Sequence, residues 1–298
     1  MNFPQPEPQT AHHWRAWLTK ALVQHGCVLG QGTLQPADEA NWLVLRGLGL
    51  PFDATRSQLQ RPLSDDEQTH LKALLTERLV SHRPTAYLLN EAWLMGEAFD
   101  ADERAIIPRS FIAEFLRPPR LPGLVREPAR ILELCTGGGS LAILAAKAWP
   151  DAEVVATDLD PAALDLAQQN IRRHGLADRV QLLQGNLYHA LAPQTARFDL
   201  ILANPPYVPT RKTDALPPEF KAEPRAAFEG GPDGMDLVRE IVQEAPTHLS
   251  PGGLLVVEIG FEAHACEALF EREFPHQHPL WLQTATGSQH VFALGENL

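Results

Sequence analysis

Apolar residues recur at spacings of three and four from Ala11 to about Leu89. Trp14, Trp17, Leu18, Ala21 and Leu22 form one such set. Ala40, Leu43, Val44, Gly47 and Leu48 form another, and Leu71, Leu74, Leu75 and Leu79 a third. That period turns one face of each segment toward a core, so the pattern predicts amphipathic helices. Ser64-Asp65-Asp66-Glu67 reads as a capping box opening the last of them. After Tyr87 the period changes. Tyr87-Leu88-Leu89, Ala92-Trp93-Leu94-Met95, a polar turn and Ala105-Ile106-Ile107 predict a β-hairpin or short meander.

From Ala129 onward short apolar runs alternate with helical patterns. Strands are predicted at Ile131–Leu134, Glu153–Thr157, Val180–Leu183, Leu200–Ala203, Leu254–Ile259, Pro279–Leu282 and Gln289–Ala293. Helices are predicted at Ser140–Ala148, Pro161–His174 and Met235–His248, the second opened by Asp160 as N-cap and Pro161 in its first turn. Such alternation predicts an α/β fold with a mostly parallel sheet covered on both faces. The expected organisation is a helical domain over residues 1–85, a β-hairpin linker over 86–112 and an α/β domain over 113–298. Residues 1–10 carry three prolines and no periodicity, and Pro118, Pro119 and Pro122 mark a loop before the second domain.

Composition narrows the setting. The chain has 298 residues, enough for one large or two smaller domains, and 44% hydrophobic content is ordinary for a globular protein. No apolar run reaches the length of a bilayer span, and Met1 to Thr10 lacks the basic start and apolar stretch of a signal peptide, so a cytoplasmic location is expected. Cys27, Cys135 and Cys266 lie too far apart to form a disulfide framework or metal motif, and His12-His13, His276 and His278 have no acidic partners at ligand spacing, so no metal is expected. The formal net charge of −12 disfavours stable nucleic-acid binding and suits a basic protein partner, although plain solubility also accounts for it.

Two constellations carry chemistry. The first predicted strand runs into Glu133-Leu134-Cys135-Thr136-Gly137-Gly138-Gly139-Ser140 and then a helix. Glycines there permit a tight turn and close approach of a ligand to the backbone. Asp158, at the end of the second strand, can accept hydrogen bonds from both hydroxyls of a ribose, and Asn186, after the third, reads equally as an adenine-edge contact or an ordinary turn residue of Gly185-Asn186. A nicotinamide dinucleotide, on Gly137-x-Gly139-x-x-Ala142, and S-adenosylmethionine both fit this loop. Cys135 has no neighbouring base in sequence and is expected to pack the loop. The second constellation is Asn204-Pro205-Pro206-Tyr207, directly after the apolar strand ending at Ala203. Two prolines stiffen the backbone and restrict the residue before them, so an amide and two carbonyls are held rigidly at a strand's carboxyl end beside an aromatic ring.

With both in view, the chain resembles the N5-glutamine family of class I S-adenosylmethionine-dependent methyltransferases, which modify a glutamine amide in translation proteins. The resemblance rests on the glycine loop, Asp158, Asn204–Tyr207, Glu223-Pro224 and Gly230-Gly231-Pro232-Asp233-Gly234, and it runs from about Asn90 to near the C-terminus. It implies a Rossmann-like seven-stranded sheet and a substrate-recognition role for the helical domain. Cofactor binding falls on Glu133, Cys135, Thr136, Gly137, Gly139, Asp158, Leu159, Asn186, Leu187 and Asn204. Catalysis falls on Asn204, Pro205 and Tyr207. Substrate contact falls on Asn204, Pro205, Pro206, Tyr207, Arg109 and Glu223, with a salt bridge to the domain as the other reading of Arg109 and a loop anchor as the other reading of Glu223. Cys135-Thr136-Gly137 and Arg109-Ser110 resemble the branch acting on ribosomal protein L3 more than the release-factor branch. Asn186 stands where the family often has Asp, and Gly137-Gly138-Gly139 replaces a more usual Gly-Ser/Thr-Gly.

This implies methyl transfer from S-adenosylmethionine to a glutamine amide of L3. Rivals are the same reaction on a release factor, adenine-N6 methylation of DNA with the flipped base stacked on Tyr207, a nicotinamide dehydrogenase, and a non-catalytic S-adenosylmethionine-binding ribosome assembly factor. The charge and the absence of a basic segment count against DNA. A dehydrogenase leaves Asn204–Tyr207 without a role, and the intact Asn204 and Asp158 count against a non-catalytic factor.

Overall fold

The computed structural model describes residues 9–116, 121–285 and 287–295. Residues 1–8 of the expected irregular start, and Pro118 and Pro119 of the expected loop, lie outside the described residues.

The N-terminal part is helical as the periodicity requires: α1 (Ala11–Gln24), α2 (Pro36–Gly47), α3 (Arg56–Gln60), α4 (Asp65–Val80) and α5 (Thr85–Leu89). Trp14, Leu18, Leu22, Leu43, Val44, Leu71, Leu75 and Leu79 form their shared core. Ser64 and Glu67 make the expected reciprocal cap at the start of α4, the Glu67 N–H donating to Ser64 Oγ at 3.2 Å and the Ser64 N–H to Glu67 Oε2 at 2.9 Å.

The linker departs from expectation. Tyr87-Leu88-Leu89 belongs to α5, whose turn is opened by Pro84, and Ala105-Ile106-Ile107 forms no strand. An apolar run this short does not separate helix from strand by period, and the proline ahead of it decides. The hairpin pairs β1 (Ala92–Leu94) with β2 (Glu97–Phe99). Its turn is Met95-Gly96, both at positive φ (51° and 79°), the geometry of a tight two-residue hairpin.

The second part is one sheet. Its strands are β3 (Arg130–Leu134), β4 (Glu153–Asp158), β5 (Val180–Gln184), β6 (Phe198–Ala203), β7 (Leu249–Glu258), β8 (Leu280–Gln283) and β9 (Gln289–Gly295), in the order β5-β4-β3-β6-β7-β9-β8. All neighbours are parallel except β9, which runs antiparallel to β7 and β8. The helices are α6 (Ser140–Ala148), α7 (Pro161–Arg173), the short α8 (Thr210–Thr213) and α9 (Pro218–Lys221), α10 (Asp236–His248) and α11 (Ala263–Glu273). Side chains alternate along the strands. Ile131, Leu200, Leu202 and Val256 pack with Leu141 and Ile171 of α6 and α7. Leu132, Ile201, Ala203 and Val257 pack on the opposite face with Val238 and Ile241 of α10 and Leu269 of α11. With both faces covered, the carboxyl edge of the sheet is left for ligands, and strand order reverses there between β3 and β6.

Candidate active site

The turn after β3 is built on left-handed backbone, with Cys135, Gly137 and Gly139 at φ of 58°, 54° and 82°. The Thr136 N–H donates to the Thr157 carbonyl at 3.0 Å, which ties the loop to β4. Asp158 stands at the end of β4. Its Oδ2 accepts the Gly137 N–H at 2.8 Å and its Oδ1 the Asp160 N–H at 3.0 Å. An ionised carboxylate has about four acceptor positions, so Asp158 keeps acceptor capacity for a further donor. Burial pushes its carboxyl up, against those backbone hydrogen bonds.

Glu133 lies under the loop, 2% exposed. Burial pushes it up to about 8, opposed by hydrogen bonds from the Thr136 hydroxyl and the Ala142 N–H, while Asp158 adds to the upward shift. Burial, with Asp158 next, raises the Cys135 thiol far enough that it stays neutral and unreactive at pH 7. Leu159 is exposed beyond β4, and Leu187 is buried beyond β5 at a positive φ of 45°. Asn186 donates Nδ2–H to Glu240 Oε1 at 3.2 Å, so its side-chain oxygen is the end left to accept.

Asn204 follows β6 directly and is half-buried. Its Nδ2 donates to the Arg109 carbonyl at 3.3 Å. A carbonyl can only accept, so this contact fixes which end of the amide is NH₂ and leaves Oδ1 as its acceptor. The Tyr207 ring lies against the backbone of Gly260, just past β7. A methyl group there would sit 2.6 Å from Cε2 and 2.8 Å from Cζ and the hydroxyl. Residues 228–231 run beside this motif. The Val208 N–H donates to the Phe228 carbonyl at 2.7 Å, Gly230 to Val208 at 2.9 Å and Thr210 to Gly231 at 2.9 Å. A side chain at 230 would meet the Pro206 carbonyl oxygen at 2.6 Å and Tyr207 Cα at 2.8 Å. The glycine-rich signature is thus a backbone brace for Asn204–Tyr207.

Arg109 and Glu223, expected at the substrate, are bound to each other. Arg109 makes a two-pronged contact, Nη1 to Oε2 at 2.8 Å and Nη2 to Oε1 at 2.9 Å, and its guanidinium lies 5.4 and 5.6 Å from the ring centres of Phe220 and Phe228. Glu223 also accepts the Ile107 N–H at 2.9 Å and Gln31 Nε2–H at 3.0 Å. All four acceptor positions of this buried carboxylate are taken, the arrangement of a loop anchor.

A second junction lies nearby. Arg78, 1% exposed, contacts Glu39 at 2.5 Å and Glu219 at 3.3 Å, and Glu219 also takes the Val28 N–H and His82 Nδ1, each at 2.9 Å. Cys27, His82 and Glu219 come within 4.8 Å of one another there, a grouping that sequence spacing did not disclose. Glu258 is a further buried acid, and its signal in the sequence is an acid closing a buried apolar strand. Gln31 carried none, standing 192 residues from its partner.

The methyltransferase small domain family matches residues 121–222. A solved methyltransferase from Pyrococcus furiosus superposes with a TM-score of 0.50 at 21% identity, covering 67% of this chain and 89% of that one, and shows the shared fold. Fold and site together define an S-adenosylmethionine-dependent methyltransferase of the Rossmann-like class. The chain is 45% identical over 296 residues to the ribosomal protein uL3 glutamine methyltransferase of Bordetella pertussis, spanning 98% of this chain and 97% of the relative. It is 41% identical over 269 residues to the protein of the same name from Bradyrhizobium diazoefficiens, spanning 88% and 82%. The chain belongs to the family of ribosomal protein uL3 glutamine methyltransferases.

Proposed function

We propose that this protein transfers a methyl group from S-adenosylmethionine to the side-chain amide nitrogen of a glutamine in ribosomal protein L3. One observation carries the chemistry. The Asn204 amide is turned by the Arg109 carbonyl so that Oδ1 is its acceptor, next to the rigid Pro205 carbonyl at the carboxyl end of β6.

The donor, when bound, supplies an electrophilic methyl carbon on a sulfonium. Asp158 has acceptor capacity for a ribose hydroxyl. The backbone from Cys135 to Gly139, with Thr136 and Glu133 beneath it, accommodates the amino-acid end. Leu159, Asn186 and Leu187 flank the base. These residues fit the group: a fixed carboxylate, a glycine turn and an open amide oxygen stand on adjacent strand ends.

The target nitrogen is a poor nucleophile because its lone pair is shared with its carbonyl. Asn204 Oδ1 and the Pro205 carbonyl can each accept one of its N–H groups. Two neutral acceptors so placed would favour a pyramidal, partly positive nitrogen as the new N–C bond forms and the methyl–sulfur bond breaks, its electron pair leaving with the sulfur as a neutral thioether; this is preorganised electrostatic stabilisation. Pro206 keeps the acceptors stiff, and Tyr207, backed by Gly260, provides a flat surface for the planar amide. The nitrogen sheds its extra proton to water, so no general base is assigned.

Residues 1–85 are proposed to recognise the substrate protein, 86–112 to link, and 113–298 to bind the donor. The Val28–Gln31 loop supports this division, because it joins the helical part to Glu219 and Glu223 beside the site. The acidic balance of −12 suits a basic substrate protein and not stable nucleic-acid binding. Among the described residues no helix is long and apolar enough to cross a membrane, and the cytoplasm is the compartment proposed.

The test is incubation with labelled S-adenosylmethionine and, separately, L3, a release factor and DNA. Label is expected on L3, and label on the release factor alone would overturn the substrate. Asn204→Ala is expected to lower turnover by roughly 100-fold, the scale of one preorganised polar group, with donor affinity retained. Unchanged turnover would refute its role.

A further inference from the structure

Two buried carboxylates outside the donor loop act on one short segment. Glu223 receives the Ile107 N–H and the Arg109 guanidinium. Glu258, the last residue of β7 and 3% exposed, receives three donors on Oε2. They are the Ser110 hydroxyl at 2.5 Å, the Phe111 N–H at 2.8 Å and the Ile112 N–H at 3.3 Å. Residues 107–112 thus form a strap pinned at both ends, with Pro108 stiffening it between the pins. Between the anchors the Arg109 carbonyl holds Asn204 Nδ2. The parallel register pairs Ala203 with Val257, so Asn204 and Glu258 are the next residues of neighbouring strands.

We infer that Glu258 is a positioning residue for methyl transfer, clamping the 107–112 strap opposite Glu223 so that the Arg109 carbonyl keeps the Asn204 amide in its working orientation. This rests on the proposed transfer to a planar amide. The terminal torsion of an asparagine is broad and two-fold, and its oxygen and nitrogen ends have nearly the same shape. Nothing steric therefore stops Asn204 from turning its NH₂ toward the substrate NH₂, an arrangement of donor against donor. An acceptor fixed at the nitrogen end selects the useful orientation. That acceptor is main chain, so it stays in place only if the strap does. Glu258 contributes without touching donor or substrate. The inference also gives Ser110 of the Arg109-Ser110 pair a purpose, as the hydroxyl that joins the strap to β7.

The experiment compares Glu258→Gln, Ser110→Ala and the hydroxyl-retaining Ser110→Thr. Three quantities are read: the Asn204 side-chain NH₂ resonances in a ¹⁵N spectrum, identified by their loss in Asn204→Asp; donor Kd by calorimetry; and kcat and KM on L3. In Glu258→Gln the Asn204 resonances are expected to shift or broaden. Its kcat should fall roughly 10- to 100-fold, with KM and donor Kd within about threefold of wild type, as for an orientation effect. Ser110→Ala should fall about three- to tenfold and Ser110→Thr should recover most of it. Unmoved Asn204 resonances in Glu258→Gln would overturn the inference. So would a loss of donor affinity as large as the loss of kcat. If Glu258→Gln fails to fold, the Ser110 pair decides by the same readings. Resonances and donor Kd need no protein substrate, so failure of wild type on L3 would refute the proposed function and still leave the strap tested.

Discussion

Replacing Gly260 with alanine would set a methyl carbon 2.6 Å from Cε2 and 2.8 Å from Cζ of Tyr207. Carbon atoms pack at about 3.5–4.0 Å, so the ring must retreat by roughly 1 Å. Gly260 also has φ of 50°, a left-handed conformation that costs an alanine about 1–2 kcal/mol. The two effects separate experimentally. The backbone cost should lower the Tm by a few degrees in a chain of this size. The ring displacement should act on the reaction, where a misplacement of about 1 Å costs on the order of 100-fold, or about 2.7 kcal/mol of barrier. The donor loop lies on β3 and β4, so donor affinity should hold. Gly175→Ala is the control, with φ of 67° and nothing within 4 Å of the added methyl. It should lose similar stability and no activity. Thermal melts, donor calorimetry and single-turnover transfer on L3 measure all three. A folded Gly260→Ala enzyme with turnover within threefold of wild type would refute the claim that the Tyr207 ring position matters.

Asp158→Ala removes an acceptor of two backbone N–H groups along with the proposed ribose contacts. At about 1.5–3 kcal/mol for a charged hydrogen bond, donor Kd should weaken roughly 10- to 150-fold by calorimetry, and a change under threefold would remove Asp158 from the donor site. Glu223→Ala strands the Arg109 guanidinium and leaves Ile107 and Gln31 unpaired, so a loss of about 3–5 kcal/mol is expected in denaturant unfolding. Glu133 has its carboxyl raised by burial from 4.5 to about 8, so folding favours its protonated form. Its contribution is therefore full below about 4.5 and is lost as pH rises toward 8. Glu133→Gln should gain stability relative to wild type by up to a few kcal/mol between pH 5 and pH 8, and melting curves showing a constant difference would contradict this.

The second domain was legible because its strands are buried on both faces and read as continuous apolar runs, as at Leu200–Ala203. The glycine loop, the acid ending β4 and the proline-stiffened acceptors after β6 are local devices, and their chemistry survives translation into sequence. The linker departs from its pattern where three apolar residues, Tyr87-Leu88-Leu89, fit either period and a proline sets the outcome. The bracing of the site was hidden for a different reason. A salt bridge at Arg109 and an anchor at Glu223 are readable as options, but that each is the other's partner shows only when the fold brings them together across 114 residues. Glu258 looks like the polar end of a strand until the 107–112 strap crosses it.

Which groups could bind a donor and grip an amide is written in the order of residues, because strand ends, glycine turns and prolines act over a few residues. How those groups are aimed is a matter of the folded chain. The orientation of Asn204, the burial of Glu223 and the seating of Tyr207 on Gly260 depend on contacts between segments far apart in the chain. Hydrogen-bond geometry and close packing act over distances in space and leave no periodic trace along the chain.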